Sequence, residues 1–345
     1  MLPSLTVASN TVSITCCLIS VLQLTPVLGV KEAASVSLLF SYKSAISYLS
    51  ATSKNLNTSV FNGIYVKHDA SVRQSFADSL KTYYGAKVSK FSTAKEAATD
   101  INAAMAEATR NLIKDLVSED ELQEARMVLV SALYFKAFWL HEFPAWNTRK
   151  EDFFTINGIK QVQMMKLMGK DLPYVEIPGK FDAISFPYRE KDFSMILLRP
   201  LSQSMSAVQT MLNSLSSVDL TQLMSDMESI RCHVHMPRFQ IKTKYENLRA
   251  IFQSMGVKRV FTNKADLSGM SSESLKIDKI ILEVFMNVTE VGTEAAGAGA
   301  VTTVGTGYVD PPPTVVHFVL DRPFVAIVWN VKHKLSLFEA YVGSP

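Results

Sequence analysis

The sequence predicts an α+β fold in which early helices pack on large, mostly antiparallel β-sheets. Helical periodicity is concentrated in the first third of the chain, and strand-like runs dominate the remainder. No regular strand–helix–strand alternation links the two, which argues against a doubly wound parallel sheet. With 345 residues the chain can bury a substantial core, and 48% hydrophobic with 19% charged residues describes a globular protein. Neither an internal repeat nor a shift in composition marks a boundary, so one domain over residues 1–345 is expected.

The first thirty residues carry no charged side chain, Lys31 being the first. A signal peptide is disfavoured by the missing basic start and the scattered Ser, Thr and Asn; Pro26 and the same polarity argue against a membrane span. A buried core segment is the expectation. Ala33 to Ser50 reads as a helix, with Val36, Leu39, Phe40, Lys43, Ile46 and Leu49 giving an apolar stripe broken once, at Lys43. Val60 to Lys67 alternates like a strand, and Ser71 to Tyr84 is helical up to Gly85. A longer helix spans Thr93 to Leu112, its stripe formed by Ala97, Ile101, Ala104, Met105, Ala108 and Leu112. Ala125 to Leu140 is a near-continuous apolar run, the pattern of a strand buried on both faces. Strands are expected at Gln161–Leu167, Ala183–Pro187 and Ser194–Leu198, then a helical block from Ser204 to Asp226. Strands at Cys232–Thr243 precede a helix from Tyr245 to Met255, stopped by Gly256. Ile277–Thr289, Val315–Leu320, Phe324–Val331 and Leu335–Val342 read as the closing strands.

Several classes of function are disfavoured. A net charge of +3 without a dense Lys/Arg block gives no electrostatic footprint for nucleic acid. Cys16, Cys17 and Cys232 are too few and badly spaced for a disulfide framework, and read as buried thiols. His233 and His235 share one strand face while Cys232 points away, so a structural role is expected rather than a metal site. Gly305 and Gly307 form no dinucleotide fingerprint and no helix follows them. Neither a nucleophile elbow nor a zinc-protease motif is present, so a hydrolase is not expected. Asn57-Thr58-Ser59 and Asn287-Val288-Thr289 fit the glycosylation pattern, the second inside an expected strand and therefore expected to be unmodified.

The run from Glu290 to Val301, EVGTEAAGAGAV, could be a flexible small-residue linker. Its alternation says more. As a strand it would place Thr293, Ala295, Gly297 and Gly299 on one face, all small, with Glu294 on the other. Such a segment could enter a crowded sheet without burying a charge.

This run, with Glu290, Gly292, Thr293, Glu294, Ala295, Ala296, Gly297 and Ala298 in order, resembles the reactive-loop hinge of the serpin family. Further stretches resemble serpin landmarks in serpin order. They include Ile101 to Leu116, Ser131 to Trp139, Gln163 to Lys166, Met236 to Phe239, Met255 to Val257, Ala265 to Gly269, and Asp321 to Phe324. The ending Ser336 to Pro345 fits the family's last strand loosely. There are also departures. Ser131 stands where the family usually has Asn, in the sheet-opening region that also includes Trp139; the family's first helix finds no counterpart; and the span from Glu290 to Phe324 is longer than the family pattern.

The resemblance implies a serpin fold with an exposed reactive loop over about 290–316, and an inhibitor of serine-type endopeptidases that is itself no enzyme and needs no cofactor. A target protease would cut the loop and be trapped as an acyl-enzyme, in a covalent complex, when the loop inserts into the main sheet. Family spacing puts the cut bond at Thr306-Gly307, with Tyr308-Val309 as the alternative. The first suits an elastase-like target and the second a chymotrypsin-like one. No Lys or Arg lies between Val291 and Val316, which disfavours a trypsin-like target. A monomer, extracellular by family resemblance, is expected, with an intracellular location open because no clear signal peptide is present. No membrane partner is expected. The helix that binds heparin in some serpins carries only Lys43 along most of its length, so heparin is not an expected partner. The rival reading is a non-inhibitory serpin-fold binding or chaperone protein.

Overall fold

The computed structural model describes residues 43–44, 46–47, 50, 52–245, 248–293 and 315–345. The expected core segment over the first thirty residues and nearly all of the Ala33–Ser50 helix lie outside these; residues 43–44 and 46–47 are helical. In chain order the strands and helices begin with β1 (Leu56–Lys67), α1 (Gln74–Tyr84), β2 (Ala86–Phe91), α2 (Ala94–Ala108), β3 (Met127–Phe138), β4 (Arg149–Thr155) and β5 (Gly158–Ile177). They continue with β6 (Phe181–Pro187), β7 (Phe193–Pro200), α3 (Met205–Ser214), α4 (Leu220–Ser225), β8 (Glu228–Pro237), β9 (Phe239–Tyr245) and α5 (Leu248–Ser254). Last come β10 (Lys279–Val288), β11 (Gly292–Thr293), β12 (Val315–Val319), β13 (Phe324–Asn330) and β14 (Leu335–Val342). Most strand pairings are antiparallel, as expected; β1–β2, β3–β10 and β8–β12 are parallel.

The described residues fall into two compact units. One combines the described residues up to Phe135 with those of Ile241–Met286. Its sheet places β1 between β2 and β3, and β3 lies parallel to β10 from the Val128–Lys279 pair to the Tyr134–Phe285 pair. β3 is buried along nearly its whole length, as its near-continuous apolar sequence predicts. Ala97, Ala98, Ile101 and Met105 of α2 are buried together with Tyr65, Val128, Val130, Ala132 and Tyr134 of the sheet. Thr93 caps α2 by accepting from the Glu96 N–H, while the Glu96 carboxylate accepts from the Ser92 N–H. The helix ends at Ala108, four residues before the expected Leu112. Thr109 bonds back to the Met105 carbonyl, and Arg110 and Asn111 then turn with φ 53° and 65°, so the periodicity of Leu112 continues where the helix does not.

The second unit contains residues 136–240, 287–293 and 315–345. Its eight-stranded sheet runs β12-β8-β5-β6-β7-β13-β14, and β4 pairs with β5 beside that path. Phe181, Ala183, Ile196, Leu198, Val325 and Ile327 bury one face of the sheet under Val208 and Met211 of α3 and Leu223 of α4.

Tyr245 corrects one expectation: it closes β9 and does not open a helix, which begins at Leu248. Polar sequence hid three features. β2 and β4 carry Lys, Arg and Asp on exposed positions, and β5 continues past Leu167 through a register shift at which Gly169 takes φ +61°.

The β13–β14 reversal carries a local cost. Lys334 is exposed and has φ 54°, a left-handed conformation that costs a residue with a Cβ about 1–2 kcal/mol. Lys334→Gly should raise stability by roughly 0.5–1 kcal/mol once glycine's greater unfolded-state entropy is counted. Chemical denaturation would check this through a higher midpoint at unchanged slope.

Candidate functional site at the strand hinge

At the end of β10 the chain reverses in a tight turn. The Thr289 N–H donates to the Gly292 carbonyl at 2.8 Å, and Gly292 N–H returns to the Thr289 carbonyl at 3.3 Å. Val288 and Thr293 then pair across the reversal. β11, only Gly292 and Thr293, also pairs antiparallel with the last residues of β3, Gly292 opposite Phe138 and Thr293 opposite Ala137.

Glycine at 292 is a requirement of packing. A Cβ there would lie 2.1 Å from the Ala137 carbonyl oxygen and 2.7 Å from the Phe138 Cα, both backbone atoms that cannot swing aside. Thr293 is fully buried, and its hydroxyl meets the Tyr188 hydroxyl at 2.9 Å. Burial pushes the Tyr188 phenol well above its ordinary value, so this contact is between neutral groups.

Trp139 forms the floor. It is fully buried, stacks on Tyr188 at 4.4 Å between ring centres, and meets Phe186 edge-on at 5.0 Å. Its indole N–H donates to the Thr289 carbonyl at 2.9 Å, and its backbone N–H donates to the Val291 carbonyl at 2.9 Å. One side chain thereby braces the turn through both its ring and its backbone.

Glu290, at the tip of the turn, is 5% exposed although charged. Arg238 embraces it: Nε donates to both carboxylate oxygens at 2.7 and 2.9 Å, and Nη2 lies 2.5 Å from Oε1. The Thr148 hydroxyl donates to Oε1 at 2.6 Å, and the Phe143 N–H takes the Glu290 backbone carbonyl at 2.9 Å. Burial alone would raise the carboxyl pKa, but the hydrogen bonds from Arg238 and Thr148 outweigh it and hold the group below its ordinary 4.5.

The sequence pointed to Glu290, Gly292, Thr293 and Trp139, and the structure brings all four together. Ser131 lies in the other unit. Its hydroxyl donates to Asn62 Oδ1 at 2.9 Å, Asn62 Nδ2 donates to the Tyr84 carbonyl at 3.3 Å, and Ser131 pairs in register with Leu282. Glu294, Ala295, Ala296, Gly297, Ala298, Thr306, Gly307, Tyr308 and Val309 lie outside the described residues. Sequence reasoning missed Arg238, Thr148 and Tyr188 as partners of the turn. Arg238 sits inside the Met236–Phe239 landmark, but nothing local ties it to a carboxylate 52 positions later. Among the described residues no cluster of three or more His, Cys, Asp or Glu could hold a metal ion. Cys232 is a buried free thiol, its pKa pushed up to about 11 by burial and, next, by Asp171.

A sequence model of the family Serpin (serine protease inhibitor) matches residues 20–345. The chain belongs to the serpin family. Human serpin B4 is 30% identical over 294 residues, which cover 83% of this chain and 74% of that protein. An uncharacterised serpin-like protein of Thermococcus kodakarensis is 31% identical over 289 residues, 82% of this serpin and 66% of the relative's own length. Serpin48, a highly specific serpin of the insect Tenebrio molitor, superposes with a TM-score of 0.84 at 26% identity, covering 99% of this chain and 92% of that one. Serpins are in general protease inhibitors and not catalysts, although some members do not inhibit. The family has extracellular and intracellular members, and no described helix of this serpin is long and apolar enough to cross a membrane.

Three substitutions test the hinge. Gly292→Ala should displace β11 and lower stability by roughly 1–3 kcal/mol, read as a fall in the denaturation midpoint. Arg238→Ala leaves Glu290 charged and poorly paired. The cost should be about 1–2 kcal/mol, less than for a sealed pair because Arg238 is half exposed. The pH dependence has a definite sign. With its folded pKa depressed, Glu290 contributes its full stabilisation above pH 4.5 and loses it as pH falls through the lower folded value. The stability advantage of the parent over Glu290→Gln should therefore shrink with acidification below pH 4.5, and an advantage independent of pH would contradict the assignment.

Proposed function

We propose that this serpin is an inhibitor of serine proteases that acts as a suicide substrate. One observation carries the reading: Gly292 and Thr293 pair with β3, and Thr293 also with β10, where they would form the first rungs of a longer strand. The residues that would follow on the buried face of Thr293 are Ala295, Gly297 and Gly299. Insertion of a serpin reactive loop is a known instance of strand addition and of released strain. Here a strand of about fifteen residues from Gly292, rising ~3.3 Å each, would carry its far end some 50 Å. Roughly a dozen new ladder hydrogen bonds at ~1 kcal/mol each would supply about 10 kcal/mol, comparable with the stability of a whole domain. The uncut form must then be held by a kinetic barrier.

The reactive loop in this reading spans about 290–316, with attack at Thr306-Gly307 by an elastase-like enzyme or at Tyr308-Val309 by a chymotrypsin-like one. Trypsin-like targets are disfavoured by the absence of Lys and Arg from Val291 to Val316. Ser131 and Trp139 serve as the sheet-opening region, and the chain works as one serpin domain and as a monomer.

The test pairs the parent with Thr293→Arg, a substitution that sets a long cation at a fully buried position. With an elastase-like and a chymotrypsin-like protease, the parent should form a detergent-stable complex and release a C-terminal fragment beginning at Gly307 or Val309, identified by mass. Thr293→Arg should be cut at the same bond and form no complex. A parent that is cut, yields no complex and gains no heat stability would sink the proposal and leave the non-inhibitory reading.

A further inference from the structure

We infer that Arg199 is a positioning residue that locks β12, and with it the point at which the stretch 294–314 rejoins the sheet. β12 ends the strand order, and among the described residues β8 is its one strand partner. The Leu320 N–H donates to the His235 carbonyl, so the backbone groups of Val316, Phe318 and Leu320 face β8. By alternation the carbonyls of His317 and Val319 fall on the open edge. Open strand edges expose unpaired backbone groups and are weakly held.

Arg199, near the end of β7, closes this edge. Its Nη1 donates to the His317 carbonyl at 3.0 Å and to the Val319 carbonyl at 3.4 Å. Its guanidinium also lies 4.5 Å from the centre of the fully buried Phe318 ring. The guanidinium is itself fixed. Asp182 stands opposite Arg199 in the β6–β7 register, is 2% exposed, and accepts from Nε at 3.0 Å and from Nη2. The Tyr174 hydroxyl donates to the same carboxylate at 3.3 Å. A planar fork bound to a carboxylate on one side and to two carbonyls on the other is geometry that arginine supplies and lysine does not. β12 is thus tied along both edges, by the β8 ladder and by one side chain.

The link from this clamp to inhibition rests on the function proposed above; the clamp itself does not. Amide exchange should be followed in Arg199→Met, Arg199→Lys and the double variant Asp182→Asn/Arg199→Met, in which no buried charge is left unpaired. Peptides covering 315–320 report on β12, and those covering 324–330 on β13. In all three variants the β12 peptides should exchange roughly tenfold faster or more, with β13 unchanged. Unchanged β12 exchange, or equal acceleration in both strands of the double variant, would overturn the clamp. In the second arm, the half-life of inhibitory activity on incubation should shorten several-fold in Arg199→Met. An unshortened half-life despite faster β12 exchange would refute the role in holding the loop end. Should the parent inhibit no protease, the proposed function fails, and amide exchange still decides the clamp.

Discussion

The hinge depends on a carboxylate kept charged under cover. A buried Glu290 would by itself favour the neutral form, and only the fork of Arg238 with the hydroxyl of Thr148 makes the anion the stable state. That arrangement fixes the turn tip, the turn fixes Gly292, and Gly292 admits β11 against the Ala137 and Phe138 backbone. Trp139 completes the chain of dependence, because its ring supports Tyr188, the partner of Thr293, while its two N–H groups hold the turn. Specificity of position comes from polar groups here, and most of the driving force from the aromatic rings beneath them.

Much of this was legible in the sequence, for identifiable reasons. β3, β10 and β13 are buried along most of their length, so their residues are nearly all apolar and announce themselves. The small residues at 292 and 293 stood out because the pattern of a crowded strand excludes large ones. What escaped was set by partners distant in sequence. β4 reads as a charged loop until β5 pairs with it, and Tyr245 follows a helical pattern that the β9 ladder overrides. Arg238, Thr148 and Tyr188 have no periodicity to betray them, since each bonds to a hinge residue more than a hundred positions away or, for Arg238, 52 positions away.

Two arginines show the same chemistry at different depths. Arg238 closes over a carboxylate at the chain reversal and remains half in water, whereas Arg199 is largely covered and shared between a carboxylate and a strand edge. In both cases a planar cation joins elements that share no ladder, which a compact ammonium could not do with the same fixed geometry. Backbone pairing builds the sheets; these side chains decide where their loose ends stop.

The parallel relation of β3 and β10 gives the gap between them a polarity. A strand lying between two parallel neighbours can be antiparallel to both, and β11 is. A chain leaving β10 through a four-residue reversal acquires that direction automatically, with no crossover to build. Filling the gap would exchange one slanted ladder for two perpendicular ones. Under the proposed function the sheet would act as a one-way slot, with the covalent chain itself supplying a strand whose first two residues already face the right way.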